Sequence, residues 1–172
     1  MIRNAQPNDI NAIEALYNEH FTHEETVKNY SNWQRGIYPI RATAEKTVAL
    51  GTMYVLEENN EIRAAVILND VQGHFYREIP WQFPAADNEV LVIHTLCVSP
   101  SHYGKGCAGK IIDFAKDLAK ANGRKVIRMD TYSGNEPAKN LYQKHGFRIA
   151  GYIDTLLEGV IAEEFAMLEI EL

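Results

Sequence analysis

The sequence predicts a single mixed α/β domain spanning residues 1–172, a central sheet flanked by helices. Three observations carry that expectation. The chain has 172 residues, enough to bury one good hydrophobic core and not two. Helix-like and strand-like periodicities alternate along it, with no internal repeat, linker or low-complexity tract. One segment, Val90–Val98 (VLVIHTLCV), is apolar on both faces, the pattern of a central strand covered from both sides.

Ile2–Ala5 reads as a short first strand. Pro7 then opens a helix with apolar residues at Ile10, Ile13, Leu16 and Tyr17, since proline is pre-set for a first helical turn. Residues 21–42 are polar and aromatic, broken by Gly36 and Pro39, and show no period. Thr43–Leu50 has a helical pattern that stops at Gly51. Met53–Glu57 and Ile62–Asn69 form two strands joined by the turn-prone Glu58-Asn59-Asn60. From Gln72 to Asn88 the chain holds Gly73, Pro80 and Pro84 among Tyr76, Trp81 and Phe83. A connection this long is expected to be functional or mobile. After the covered strand, Ser99 to Tyr103 lead into Gly104-Lys105-Gly106-Cys107-Ala108-Gly109. A helix then runs to Asn122, with Ala108, Ile111, Ile112, Ala115, Leu118 and Ala119 on one face. Val126–Asp130 is a further strand, and Pro137–His145 is a short helix between Asn135 and Gly146. Phe147–Tyr152 and Phe165–Ile170 close the chain as strands.

Composition narrows the function. The chain is 46% hydrophobic and 23% charged, the balance of a globular protein, and its net charge of −6 argues against a general nucleic-acid binder. That charge is unevenly spread. Residues 99–148 carry 10 basic and 4 acidic side chains, while residues 149–172 carry 6 acidic and no basic ones. Cys97 and Cys107 are the only cysteines, Met1–Pro7 lacks the apolar run of a leader, and no stretch is long enough to span a membrane. A reduced, soluble cytoplasmic protein is the expectation.

Glycines between a buried strand and a helix leave backbone N–H groups pointing outward, and the helix dipole adds positive potential there. A phosphate is the natural occupant. Gly104, Gly106 and Gly109 spell G-x-G-x-x-G, and Asp130 follows at a strand end, as in a dinucleotide-binding fold. That fold turns at once from strand to glycine, whereas Ser99–Tyr103 intervene here. A second constellation, Asn135-x-Pro137 with Tyr142 and Gly146-Phe147, puts Asn135 at a helix start and Tyr142 two turns on along the same face. With Tyr103-Gly104-Lys105-Gly106-Cys107-Ala108, and with Ile93–Pro100 before it, this resembles the GNAT superfamily of acyl-coenzyme A N-acetyltransferases. The specific match covers about residues 90–148. Tyr103 stands where that family usually has Gln or Arg.

The resemblance implies a mixed, mostly antiparallel sheet and direct attack of an amine on the thioester of acetyl-CoA in a ternary complex, with no metal. The cofactor side would be formed by Leu96, Cys97, Val98, Tyr103, Gly104, Lys105, Gly106, Cys107, Ala108, Gly109, Asn135, Lys139 and Tyr142. Backbone N–H groups of Gly104 to Ala108 would hold the pyrophosphate, with Lys105, Lys110 and Lys139 adding positive charge. A backbone N–H near Leu96–Val98 would face the oxyanion. Tyr142 would protonate the departing thiolate, its alternative being a core aromatic. His94 is the candidate base, since an imidazole with a pKa near 6.5 suits proton removal at neutral pH; a hydrogen-bonded histidine in a buried strand is the alternative. Cys107 at a helix start reads as packing more readily than as a reactive thiol.

Other features carry less. His20-x-x-His23-Glu24 reverses the order of a zinc-helix motif and lacks a third ligand, so it reads as a solvated helix end. Trp81 and Phe83 line an acceptor pocket or cap the core. The acidic C-terminal stretch is either a solvated hairpin or an attractor for a cationic amine. The acceptor is expected to be a small-molecule or peptide amine, and a homodimer is what the resemblance implies. A coenzyme A-binding sensor and a nicotinamide-linked oxidoreductase are the competing functions.

Overall fold

The computed structural model describes residues 1–172. Its strands are β1 (Ile2–Asn4), β2 (Met53–Glu58), β3 (Glu61–Asn69), β4 (Val90–Val98), β5 (Val126–Tyr132), β6 (Arg148–Leu157) and β7 (Ile161–Glu171). Its helices are α1 (Ile10–Thr26), α2 (Arg41–Ala49), α3 (Cys107–Ala121) and α4 (Glu136–Lys144). The seven strands take the order β1-β2-β3-β4-β5-β7-β6. β1–β2, β2–β3, β5–β7 and β6–β7 pair antiparallel, and β4–β5 pairs parallel. That mixed, mostly antiparallel sheet excludes the doubly wound parallel architecture which the G-x-G-x-x-G spacing suggests.

The chain forms two compact units. The first comprises residues 1–29, 33–68 and 94–114. Here β1, β2 and β3 form a meander, with Ile2 opposite Leu56 and Met53 opposite Ile67. Ile13, Leu16, Tyr17 and Phe21 project from α1 into a core shared with Ala44, Val48, Met53, Val55, Ile67 and Cys97. Arg3 fixes the helix entry by gripping Asp9 through both terminal nitrogens, at 2.6 and 3.0 Å, while Asp9 also accepts the Gln6 N–H at 2.7 Å. Pro7 begins a single 3-10 turn, so α1 itself starts three residues later, at Ile10.

The second unit comprises residues 30–32, 69–93 and 115–172. Val90–Ile93 pair with Val126–Met129, and β5 pairs along its whole length with β7. β6 and β7 form a hairpin longer than the pattern suggests, turning at Glu158 and Gly159, both with left-handed backbone. Register places Arg128 opposite Glu169, Asp130 opposite Met167 and Tyr132 opposite Phe165, all on one face of the sheet. The 70–89 connection is anchored to that face rather than loose. The Tyr76 hydroxyl donates to Asp130 at 2.7 Å, and the backbone N–H groups of Gln82 and Phe83 donate to Glu169 at 2.8 and 3.3 Å. Arg128 donates to Gln72 and to the Phe83 carbonyl, and its guanidinium lies 4.4 Å from the Trp81 ring centre.

Candidate active site

The residues expected to hold coenzyme A fall in both units. His94, Leu96, Cys97 and Val98 on β4, with Tyr103 to Gly109, belong to the first; Asn135, Lys139 and Tyr142 on α4 belong to the second.

Along β4 the two-faced burial read from VLVIHTLCV holds for Val90–Ile93 and then changes. From His94 onward, half-buried His94, Leu96 and Val98 alternate with buried Thr95 and Cys97. The change coincides with Thr95, whose φ of +50° is left-handed. A β-branched residue in that region costs about 1–3 kcal/mol and persists only where its surroundings enforce it. Thr95 is buried and its hydroxyl is bonded to that of Tyr38. Cys97 therefore points into the core of the first unit, where burial and the nearby Glu24 and Glu19 hold its thiol well above the ordinary cysteine range. Its side chain is a packing group; only its backbone remains for a ligand. Leu96 and Val98 occupy the opposite, half-open face.

Pro100–His102 then make one 3-10 turn. Gly104 and Gly106 follow with φ of +73° and +78°, a conformation that favours glycine. A Cβ at either position would meet nothing within 4 Å, so the loop is an open cradle at the start of α3. The first N–H groups of a helix have no intrahelical acceptor, which suits this cradle to a pyrophosphate. Lys105 is exposed beside it. Lys110 donates to Glu58 at 2.6 Å, so its charge is partly spent locally. Cys107 is buried at the first position of α3, as a packing thiol. The buried face of α3 carries Ile111, Ile112, Ala115 and Ala119, as the periodicity requires.

In the second unit Asn135 caps α4, accepting the Ala138 N–H at 3.2 Å. Lys139 is buried and bonded to Glu136 at 2.7 Å. Tyr142 lies on the buried side of α4, its ring edge-on to Phe147 at 6.2 Å. Burial, with Asp130 nearby, raises its phenol well above the ordinary range, so at neutral pH it keeps its proton.

Two clusters escaped the sequence. His20 and Glu24 are not a solvated helix end: both are buried, 3.3 Å apart, and His20 Nδ1 lies 3.1 Å from the Tyr103 hydroxyl. Their i, i+4 spacing on α1 was the available signal. In the acidic C-terminal hairpin, Glu163 and Glu169 are 7% and 0% exposed, which excludes a wholly solvated strand. Glu163 Oε2 accepts from Asn32 at 3.0 Å, and burial with Asp130 nearby raises its carboxyl to about 7. A cleft of about 470 Å³ is lined by Trp81, Tyr76, Arg77 and Arg128 among others; Phe83 does not line it.

A model of the acetyltransferase (GNAT) family matches residues 10–147. A streptothricin acetyltransferase of Escherichia coli is 34% identical over 95 residues, which is 55% of this chain and 51% of that protein. The chain thus spans about half the length of that relative. A chain from Staphylococcus aureus is 27% identical, with a TM-score of 0.73 over 99% of this chain and 98% of that one. A Salmonella typhimurium protein solved with its cofactor acetyl-CoA shares the fold, at 21% identity and a TM-score of 0.68, covering 99% and 92% of the two chains.

Proposed function

The chain belongs to the GNAT acetyltransferase family, and on that premise we propose that it transfers the acetyl group of acetyl-CoA to a primary amine of a small molecule or peptide. The single observation that carries this reading is the open Gly104–Gly106 cradle at the head of α3, joined to a kinked β4. Residues Gly104 to Ala108 would hold the pyrophosphate through backbone N–H groups, with Lys105 adding charge. Tyr103 takes the place of the usual Gln or Arg; its hydroxyl is engaged with His20, so the phosphate contact falls mainly to the backbone. The half-open face of Leu96 and Val98 suits the pantetheine arm, and a backbone N–H there would face the oxyanion. Asn135 fixes the start of α4, and Tyr142, still protonated at neutral pH, would give its proton to the departing thiolate. His94, half-buried beside the kink, is the sequence's choice for the amine's proton.

The acceptor's class follows from an amine as nucleophile, and streptothricin is the first compound to test because a relative is named for it. A thermal-shift series with acetyl-CoA, coenzyme A and NAD, followed by thiol release with streptothricin and a panel of small and peptide amines, tests the reading. Stabilisation by acetyl-CoA with amine-dependent thiol release is expected. Stabilisation by NAD alone contradicts it, and acetyl-CoA binding without turnover across the panel makes the chain a coenzyme A sensor.

A further inference from the structure

Thr95 is the one residue of β4 with left-handed backbone, and it lies two residues beyond Ile93, where the ladder of β4 with β5 ends. A β-branched residue reaches that region only where its surroundings enforce it. Here the enforcement comes from a distant part of the first unit. The Thr95 side chain is buried, and its hydroxyl is bonded to that of Tyr38, 57 residues earlier in the chain. Tyr38 is itself held firmly. Its backbone N–H donates to the Gln34 carbonyl at 3.0 Å, and its ring stands edge-on to Trp33 at 5.9 Å. Trp33 in turn packs against His20 of α1 at 5.1 Å, so the phenol reaches β4 from a segment anchored on a helix. The placement has consequences, because a residue that leaves the extended region re-aims the strand after it. Beyond Thr95, Cys97 enters the core while Leu96 and Val98 take the half-open face. The cost of a left-handed threonine and the worth of one buried hydrogen bond are of the same order. One hydroxyl is therefore enough to decide which way the strand runs.

Building on the N-acetyltransferase reading, we propose that Tyr38 is a positioning residue for the transfer: its hydroxyl holds Thr95 left-handed and so aims the backbone of Leu96–Val98 at the thioester carbonyl. Tyr38 acts through Thr95 rather than on a reactant. Phenylalanine at position 38 keeps the ring against Trp33 and removes only the hydroxyl that does the holding. In Tyr38→Phe the Thr95 hydroxyl is left buried without that partner, and the strand relaxes toward the extended region. The donor facing the oxyanion then moves away, while the glycine cradle, built from a separate loop, keeps its hold on the phosphates.

The test is steady-state kinetics with the best acceptor from the amine panel, for wild type, Tyr38→Phe, Thr95→Gly and the double variant. Tyr38→Phe should lose roughly 10- to 100-fold of kcat, with KM for acetyl-CoA kept within about threefold. Glycine takes the left-handed conformation without help. In a Thr95→Gly background the same Tyr38→Phe change should therefore alter kcat by less than about threefold. A merely structural phenol would lower kcat equally in both backgrounds; that result overturns the proposal, as does full activity of Tyr38→Phe. Should Tyr38→Phe fail to fold, Thr95→Val removes the same bond from the other side and should show the same loss; wild-type activity there overturns the proposal. Nuclear magnetic resonance reads the backbone without turnover. Thr95 Cα and Cβ shifts that are left-handed in wild type and extended in Tyr38→Phe are expected, and left-handed shifts in both overturn the role of Tyr38 alone. Wild type that binds acetyl-CoA yet acetylates no amine overturns the reading beneath it.

Discussion

At the scale of single residues, the chemistry divides between a group that must keep its proton and one that must lose it. Burial pushes the Tyr142 phenol upward, so it is a proton donor over the whole neutral range. Tyr142→Phe should lower kcat by about 10²-fold while leaving stabilisation by acetyl-CoA in place, because only the transition-state contact is removed. A loss of acetyl-CoA binding instead would make Tyr142 a packing residue. His94 is the candidate for the other task. If His94 takes the proton, His94→Ala loses the acidic limb of the rate profile near pH 6–7, and an unchanged profile contradicts that role. His94 and Glu163 differed in legibility for a physical reason. A histidine in an apolar strand announces itself, whereas a glutamate in an acidic hairpin looks solvated until its strand is seen to turn it inward.

Among the elements, the glycine loop and β4 decide what can bind. Gly106 has left-handed backbone and open space where a Cβ would stand, so Gly106→Val should cost about 1–3 kcal/mol in conformational strain. Its effect on acetyl-CoA should be larger, since the added side chain occupies the cradle itself. Calorimetric titration against the melting temperature checks this: affinity falling at least tenfold with a fold still cooperative is expected, and undiminished affinity contradicts the cradle. This loop, α3 and α4 were legible because glycine, proline and the 3.6-residue period speak locally. The β4 kink was not. Nothing in HTLCV demands a left-handed Thr95; that conformation comes from burial and the Tyr38 hydroxyl, both distant in sequence. The β6–β7 hairpin also extends beyond the strands the pattern predicts, because inward Glu163 interrupts the apolar alternation of Ile161 and Phe165.

For the whole molecule, part of the uneven charge is spent on internal pairings, such as Arg148 with Glu169 and Lys110 with Glu58. Arg128 and Glu169 are buried against the 70–89 connection and hold it down, so a segment expected to be functional or mobile is a fixed part of the second unit. Glu163 is buried with no cation among the groups that act on it, and it should cost stability. An acid whose folded pKa is raised to about 7, above the ordinary 4.3, favours the fold below the lower value, and that advantage is lost as pH rises through 7. Glu163→Gln should therefore melt higher than wild type at pH 8, by an amount on the order of 2 kcal/mol, and the gain should vanish by pH 4. Equal melting of both proteins at pH 8 would show Glu163 to be unstrained. The central claim is direct transfer from acetyl-CoA to an amine. Initial velocities measured while varying acetyl-CoA and the acceptor together test it most directly: intersecting lines, with no acetylated protein in the absence of acceptor, are predicted, and parallel lines with an acetyl-protein intermediate would contradict it.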